Sequence, residues 1–73
     1  MPSTPSAIHR KIAARIRQTA KEREISLNKL ADFAGISRRH LARILDCSQS
    51  PTISTLAKLA AALNVGLRDL MPS

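Results

Sequence analysis

The chain has 73 residues, 44% of them hydrophobic, with one aromatic side chain and a formal net charge of +7. That length holds one domain at most, and Phe33 as the sole aromatic leaves any core to aliphatic side chains. No run of 18 apolar residues offers a membrane span, and Cys47, the only cysteine, excludes an intrachain disulfide framework.

The first six residues, a Pro/Ser/Thr segment, read as a flexible tail. The N-terminus MPSTPSAIHRKI has no apolar stretch long enough for a signal peptide, so the expected location is cytoplasmic. Ile8, Ile12, Ile16 and Ala20 recur every four residues and predict a first helix over about 7–23 with one apolar stripe. Arg10, Lys11, Arg15, Arg17, Lys21 and Arg23 occupy its other face, most of them as a solvated surface. His9 is expected on the surface too. Ser26 is placed to cap a second helix, about 27–34, burying Leu27, Leu30, Ala31 and Ala34. Gly35 follows, where a left-handed residue ends a helix without steric cost. Ile36 fills the turn. Ser37 caps a third helix over about 38–46, which buries Leu41, Ile44 and Leu45.

DCSQSPT, residues 46–52, has loop composition. Thr52 caps a fourth helix, about 53–63, with the stripe Ile53, Leu56, Leu59, Ala60 and Leu63. NVG turns the chain at 64–66, and LRDLM at 67–71 is a short final helix ended by Pro72. The fold expected is all-α: a compact bundle of five helices in a single domain over 7–71.

The charge is unevenly spread. Residues 1–45 hold ten Lys/Arg against three acidic residues, and the remainder is balanced. A polyanion is the partner such an excess implies, nucleic acid first, with an anionic membrane surface or an acidic protein as rarer choices. The second and third helices, joined through Gly35, have the outline of a helix-turn-helix. Small Ala31 suits the close crossing. Leu41 and Ile44 fasten the third helix inward and leave Arg38, Arg39, Ala42 and Arg43 facing out, with His40 on the flank. Arginine can bond guanine O6 and N7 together. Three arginines near a helix N-terminus oppose the helix dipole, which argues for function over stability.

ISLNKLADFAGISRRHLARIL, with SPTISTLAKLAAALNVGLRDLM following, resembles the Cro/repressor-type (XRE-like) helix-turn-helix family. The likeness covers about residues 8–71. It implies a lambda-repressor-like domain whose third helix enters the major groove. Carried over by position, Arg38, Arg39 and Arg43 read bases. Ser37, His40, Asn28, Ser48, Gln49 and Thr52 lie at phosphates or on the flank, and Leu67, Leu70 and Met71 divide between core and dimer surface. The sequence departs from the family at three places. Leu27 stands where glutamine usually anchors a phosphate, with Asn28 beside it as a substitute. Cys47, Ser48, Gln49 and Ser50 stand where glycine and basic residues are usual. Ala20 and Leu45 replace a buried Arg–Glu pair; losing both partners together is the tolerated way to lose a buried ion pair.

The reading is a sequence-specific, double-stranded DNA-binding regulator. It is a homodimeric repressor on a palindromic operator, associated with the nucleoid when bound, with room for a regulatory protein partner. The alternative is an antitoxin-like or adaptor module whose basic face docks an acidic protein. An enzyme is not expected: five carboxylates show no nucleophile–base pair, phosphate-cradling glycine loop, metal cluster or cofactor motif. A membrane role would rest on the first helix alone, whose stripe the core needs.

Overall fold

A computed structural model describes residues 7–71; the expected tail at 1–6 lies outside them. The elements are α1 (Ala7–Glu22), α2 (Leu27–Ala34), α3 (Arg38–Leu45) and α4 (Ile53–Ala62), then a 3-10 turn (Leu67–Asp69). The described residues are thus all-α, with four α-helices in place of the five expected. After Gly66 the chain bonds three residues back, with Leu70 N–H on Leu67 O at 3.0 Å and Met71 N–H on Arg68 O at 3.2 Å. Pro72 disfavours helical backbone before it, so the segment stops at a single tight turn.

Three starts follow the expected chemistry. Ser26, Ser37 and Thr52 each hold extended backbone while the side-chain oxygen accepts a backbone N–H three residues on, from Lys29, His40 and Thr55. The stops share one form as well. Glu24, Gly35, Cys47 and Asn64 all have positive φ, between 56° and 73°. In each case the next residue's N–H reaches back five positions: Ile25 to Ala20 O, Ile36 to Ala31 O, Ser48 to Arg43 O and Val65 to Ala60 O, at 2.9–3.0 Å. These are Schellman closures. Ile25, Ile36 and Val65 pack against the core, whereas Ser48 is exposed.

The core is aliphatic. Ile16, Leu30, Leu41, Ile44, Leu59, Leu63 and Leu70 are fully buried, with Ala31 wedged among them at 2% exposure. Ala20 and Leu45 are both buried in the same cluster, so the positions of the missing ion pair are filled by apolar contacts. Leu27 is half-buried against this cluster.

Two positions of the expected stripes lie outside. Ile8 is 55% exposed, and His9 is buried in its stead, with Nε2 3.3 Å from Ile44 O. A four-residue repeat advances about 40° per step on a 3.6-residue helix. Three steps back from Ala20, Ile8 has therefore rotated out of the core and His9 has rotated in. Ile53, the first residue of α4, is 63% exposed; it overhangs the layer that Leu56 and Leu59 fill. Leu70 is the third correction. Its side chain is fully buried within the chain, because the 3-10 turn folds it onto α4, and so it has no surface to offer a dimer. Leu67 and Met71 are half-buried.

Candidate nucleic-acid interface

Helix α3 is eight residues long and strongly two-faced. Leu41, Ile44 and Leu45 are buried, and Arg38, Arg39, Ala42 and Arg43 are exposed, with His40 half-buried at the boundary. Three cations and one small residue therefore stand on a helix anchored from behind by three aliphatic side chains. Anchoring matters because a guanidinium fork reads a base edge only if its helix axis is fixed.

The start of α3 is tied at two points. Ser37 Oγ accepts the His40 N–H at 2.9 Å, so Ser37 acts as the cap. Arg38 Nε donates to Asn28 Oδ1 at 2.8 Å, which links the first turns of α2 and α3. The bond uses the amide oxygen of Asn28 and leaves its two N–H donors for another acceptor. It also leaves the terminal nitrogens of Arg38 for a second contact.

The exit of α3 is built on one carbonyl. Arg43 O accepts Ser48 N–H at 3.0 Å and Gln49 N–H at 3.3 Å. Ser48 N–H is shared with Asp46 Oδ1 at 2.9 Å. The Ser48 hydroxyl sits 3.4 Å from Arg43 O, a long contact, and an ionised carboxylate is the stronger acceptor for its proton. The Ser48 hydroxyl and then its backbone N–H hold the Asp46 carboxyl below its ordinary value of 3.8, with help from the Arg43 and Arg17 charges and against weaker desolvation. Asp46 thus keeps an anion beside Arg43.

The sequence candidates fall into one contiguous region only in part. Asn28 and Arg38 meet directly, and Ser48 and Gln49 fold back on Arg43. Thr52 is spent as the cap of α4, with its oxygen accepting Thr55 N–H at 3.0 Å. Arg17 is the residue the sequence reading did not single out: its charge acts on Asp46 at the exit of α3, although it lies on α1. Its signal, one cation among six on a polar face, was diluted by its neighbours. Among the described residues no group of three or more His, Cys, Asp or Glu could hold a metal ion. No helix is long and apolar enough to cross a membrane.

Comparison with known proteins agrees with this geometry. A helix-turn-helix family model matches residues 16–70. The HTH-type transcriptional regulator SutR of Escherichia coli is 38% identical over 54 residues, covering 74% of this chain and 30% of SutR. The HTH-type transcriptional regulator SinR of Bacillus subtilis is 36% identical over 61 residues, covering 82% of this chain. The chain spans about half the length of SinR, 55%. The N-terminal DNA-binding domain of SinR superposes with a TM-score of 0.80 at 36% identity, covering 89% of this chain and 96% of that one. SinR in complex with DNA gives a TM-score of 0.74 at 38% identity, covering 81% and 95%. By the match over most of its length and by the α2–turn–α3 arrangement, the chain belongs to the Cro/repressor-type (XRE) helix-turn-helix family.

Proposed function

We propose that this protein is a sequence-specific regulator that binds double-stranded DNA by inserting α3 into the major groove. The observation that carries the reading is the exposed trio Arg38, Arg39 and Arg43 on a helix whose opposite face is fully buried. Small Ala42 between them permits close approach of the helix to base edges. Asn28, Ser48 and Gln49 supply phosphate contacts at the two ends of α3, and Arg17 adds a cation near its exit. SinR, a relative over most of this chain, has been solved in complex with DNA, which supports the same use of the fold here. The protein acts as a homodimer on a palindromic operator with half-sites about one helical turn apart. Its occupancy excludes other proteins from the duplex, which makes repression the sign of regulation. The nucleoid is its place of action.

Selection of duplexes from a random-sequence pool, followed by footprinting and a salt titration, tests this. A protected palindrome with affinity falling steeply in salt is the expected outcome. Weak binding without sequence preference would sink the reading and turn attention to an acidic protein partner on the same face.

A further inference from the structure

Six of the twelve Lys and Arg residues lie on α1 or directly after it, against three on α3. All six are exposed, and the helix divides them between two flanks. At about 100° per residue, Arg10, Arg17 and Lys21 fall within about 40° of one another, and small, exposed Ala14 lies on the same line. On the other flank Arg15 and Arg23 line a cleft with Glu22 and Asp69, and Arg15 Nη1 donates to Asp69 O at 3.3 Å. Carboxylates offset the cations there. Glu22 is the only carboxylate of α1, so no acidic residue of the helix stands on the line of Arg10, Arg17 and Lys21. We propose that these three side chains form a second contact line on the duplex, following the sugar–phosphate backbone outside the groove that α3 enters and adding affinity without reading sequence. The inference deepens the DNA-binding reading and rests on it for the placement of α3.

Continuity with the recognition surface selects the occupant. His9 Nε2 lies 3.3 Å from Ile44 O, which sets Arg10, the next residue, beside the last turn of α3. Two turns on, the Arg17 charge acts on Asp46 together with that of Arg43. The stripe therefore flanks the end of α3 at two places, and Lys21 carries it one turn further toward the start of α2. Asp46 is the one carboxylate that meets it, so this edge of the recognition surface stays cationic. Residues 47–52, which leave α3, contain no Lys or Arg; cationic phosphate contacts on this side have to come from α1. Length agrees. Eleven residues at 1.5 Å each set Arg10 and Lys21 about 16 Å apart along the helix. A duplex strand carries one phosphate per about 3.4 Å of its axis, so a line of that length has several phosphates within reach of three long side chains. Ala14 leaves room for the backbone to approach between Arg10 and Arg17.

The test measures the salt dependence of duplex affinity for the full chain and two triple variants of equal charge. Arg10→Gln/Arg17→Gln/Lys21→Gln clears the stripe. Lys11→Gln/Arg15→Gln/Arg23→Gln removes as many charges from the rest of the same segment and serves as control. Glutamine matches Lys and Arg closely in helix propensity, and all six positions are exposed, so both variants keep the fold; thermal unfolding verifies this. Probes are two duplexes of equal length, one selected by the wild type from a random-sequence pool and one of arbitrary sequence. Each phosphate contact contributes about 0.9 to the slope of log affinity against log salt. The stripe variant is therefore expected to lose about 2–3 from that slope on both duplexes, and the control less than about 1. Base preferences of the stripe variant stay those of the wild type, because phosphate contacts carry no sequence information. Equal losses in the two variants, a loss confined to the control or no loss in either overturns the proposal, as does an altered base preference in the stripe variant. If the wild type selects no duplex from the pool, the sequence-specific reading fails, and the slopes on the arbitrary duplex still decide the role of the stripe.

Discussion

Asn28 Oδ1 accepts the Nε–H of Arg38 at 2.8 Å, so the first residue of α3 is held by the helix before it. An exposed side-chain hydrogen bond of this kind contributes about 0.5–1.5 kcal/mol. Its larger effect is orientational, since one Arg38 nitrogen is fixed and the others are aimed. Asn28→Ala is expected to weaken specific binding about three- to tenfold, and the Asn28→Ala/Arg38→Ala double-mutant cycle to show coupling of about 0.5 kcal/mol or more. Strict additivity in duplex affinity would mean that the two residues act separately.

Removal of either of the other two arginines separates base reading from phosphate contact. Arg39→Ala or Arg43→Ala costs about 1–3 kcal/mol and relaxes preference at one base pair if the side chain is bidentate to guanine. A uniform loss on every sequence, with a shallower salt slope, would reassign that residue to the backbone. Ala42→Glu places an anion in the groove and is expected to abolish binding. Because Ala42 is exposed, the melting temperature should change little, and thermal unfolding beside the binding assay checks both halves of the statement.

Glu24 closes α1 in the left-handed region at φ 56°, a conformation that disfavours a residue with a Cβ by about 1–2 kcal/mol. Glu24 is also exposed. Glu24→Gly is expected to stabilise the fold by about 1 kcal/mol, which for a domain of this size raises Tm by roughly 4–8 °C. Gly35→Ala, at φ 73°, should lower it by a similar amount. An added methyl there meets nothing within 4 Å, so that cost is conformational alone. Calorimetry on both variants checks the pair; equal and unchanged Tm values would contradict it.

The Asp46 carboxyl titrates below its ordinary value of 3.8. A depressed folded-state pKa stabilises the native loop above the unfolded value, and that contribution is lost as pH falls through the folded one. The Ser48–Asp46 contact should therefore persist through neutral and mildly acidic pH and release only in strong acid. The Asp46 carboxyl carbon and the Ser48 amide, followed together by NMR, should share a midpoint below 3.8. Ser48→Ala removes the leading cause, the hydroxyl, and should move the midpoint upward; a midpoint unmoved in that variant would assign the depression to the backbone N–H that the variant keeps, followed by the Arg43 and Arg17 charges.

The helix-turn-helix was legible in the sequence because its signals are local. Ser26, Gly35 and Ser37 each act within a few residues of themselves, and the caps and the left-handed turn stand where their chemistry required. Errors arose where tertiary placement decides. Ile8 and His9 differ by one position, and only the drift of a real helix against a four-residue repeat says which is inside. Ile53 fits its stripe, yet it lies at an element's end, where the core stops. Leu70 was divided between core and surface because its fate depends on how the 3-10 turn closes, a matter of one hydrogen-bonding step. Arg17 needed the fold itself, since nothing local connects it with Asp46.

The four helix stops carry a consequence for how the proposed interface can vary. At α1, α2 and α4 the residue after the left-handed position is an apolar plug, Ile25, Ile36 or Val65, pressed on the core. At α3 that residue is Ser48, held by Arg43 O and Asp46 alone. Cys47 still packs against the core, but the three residues after it, 48–50, are exposed and lie outside the packing that keeps the domain folded. Substitutions across Ser48, Gln49 and Ser50 can accumulate without threatening the interior, so on the proposed function new duplex preferences would be accessible from this sequence by small steps, each leaving a folded protein behind it.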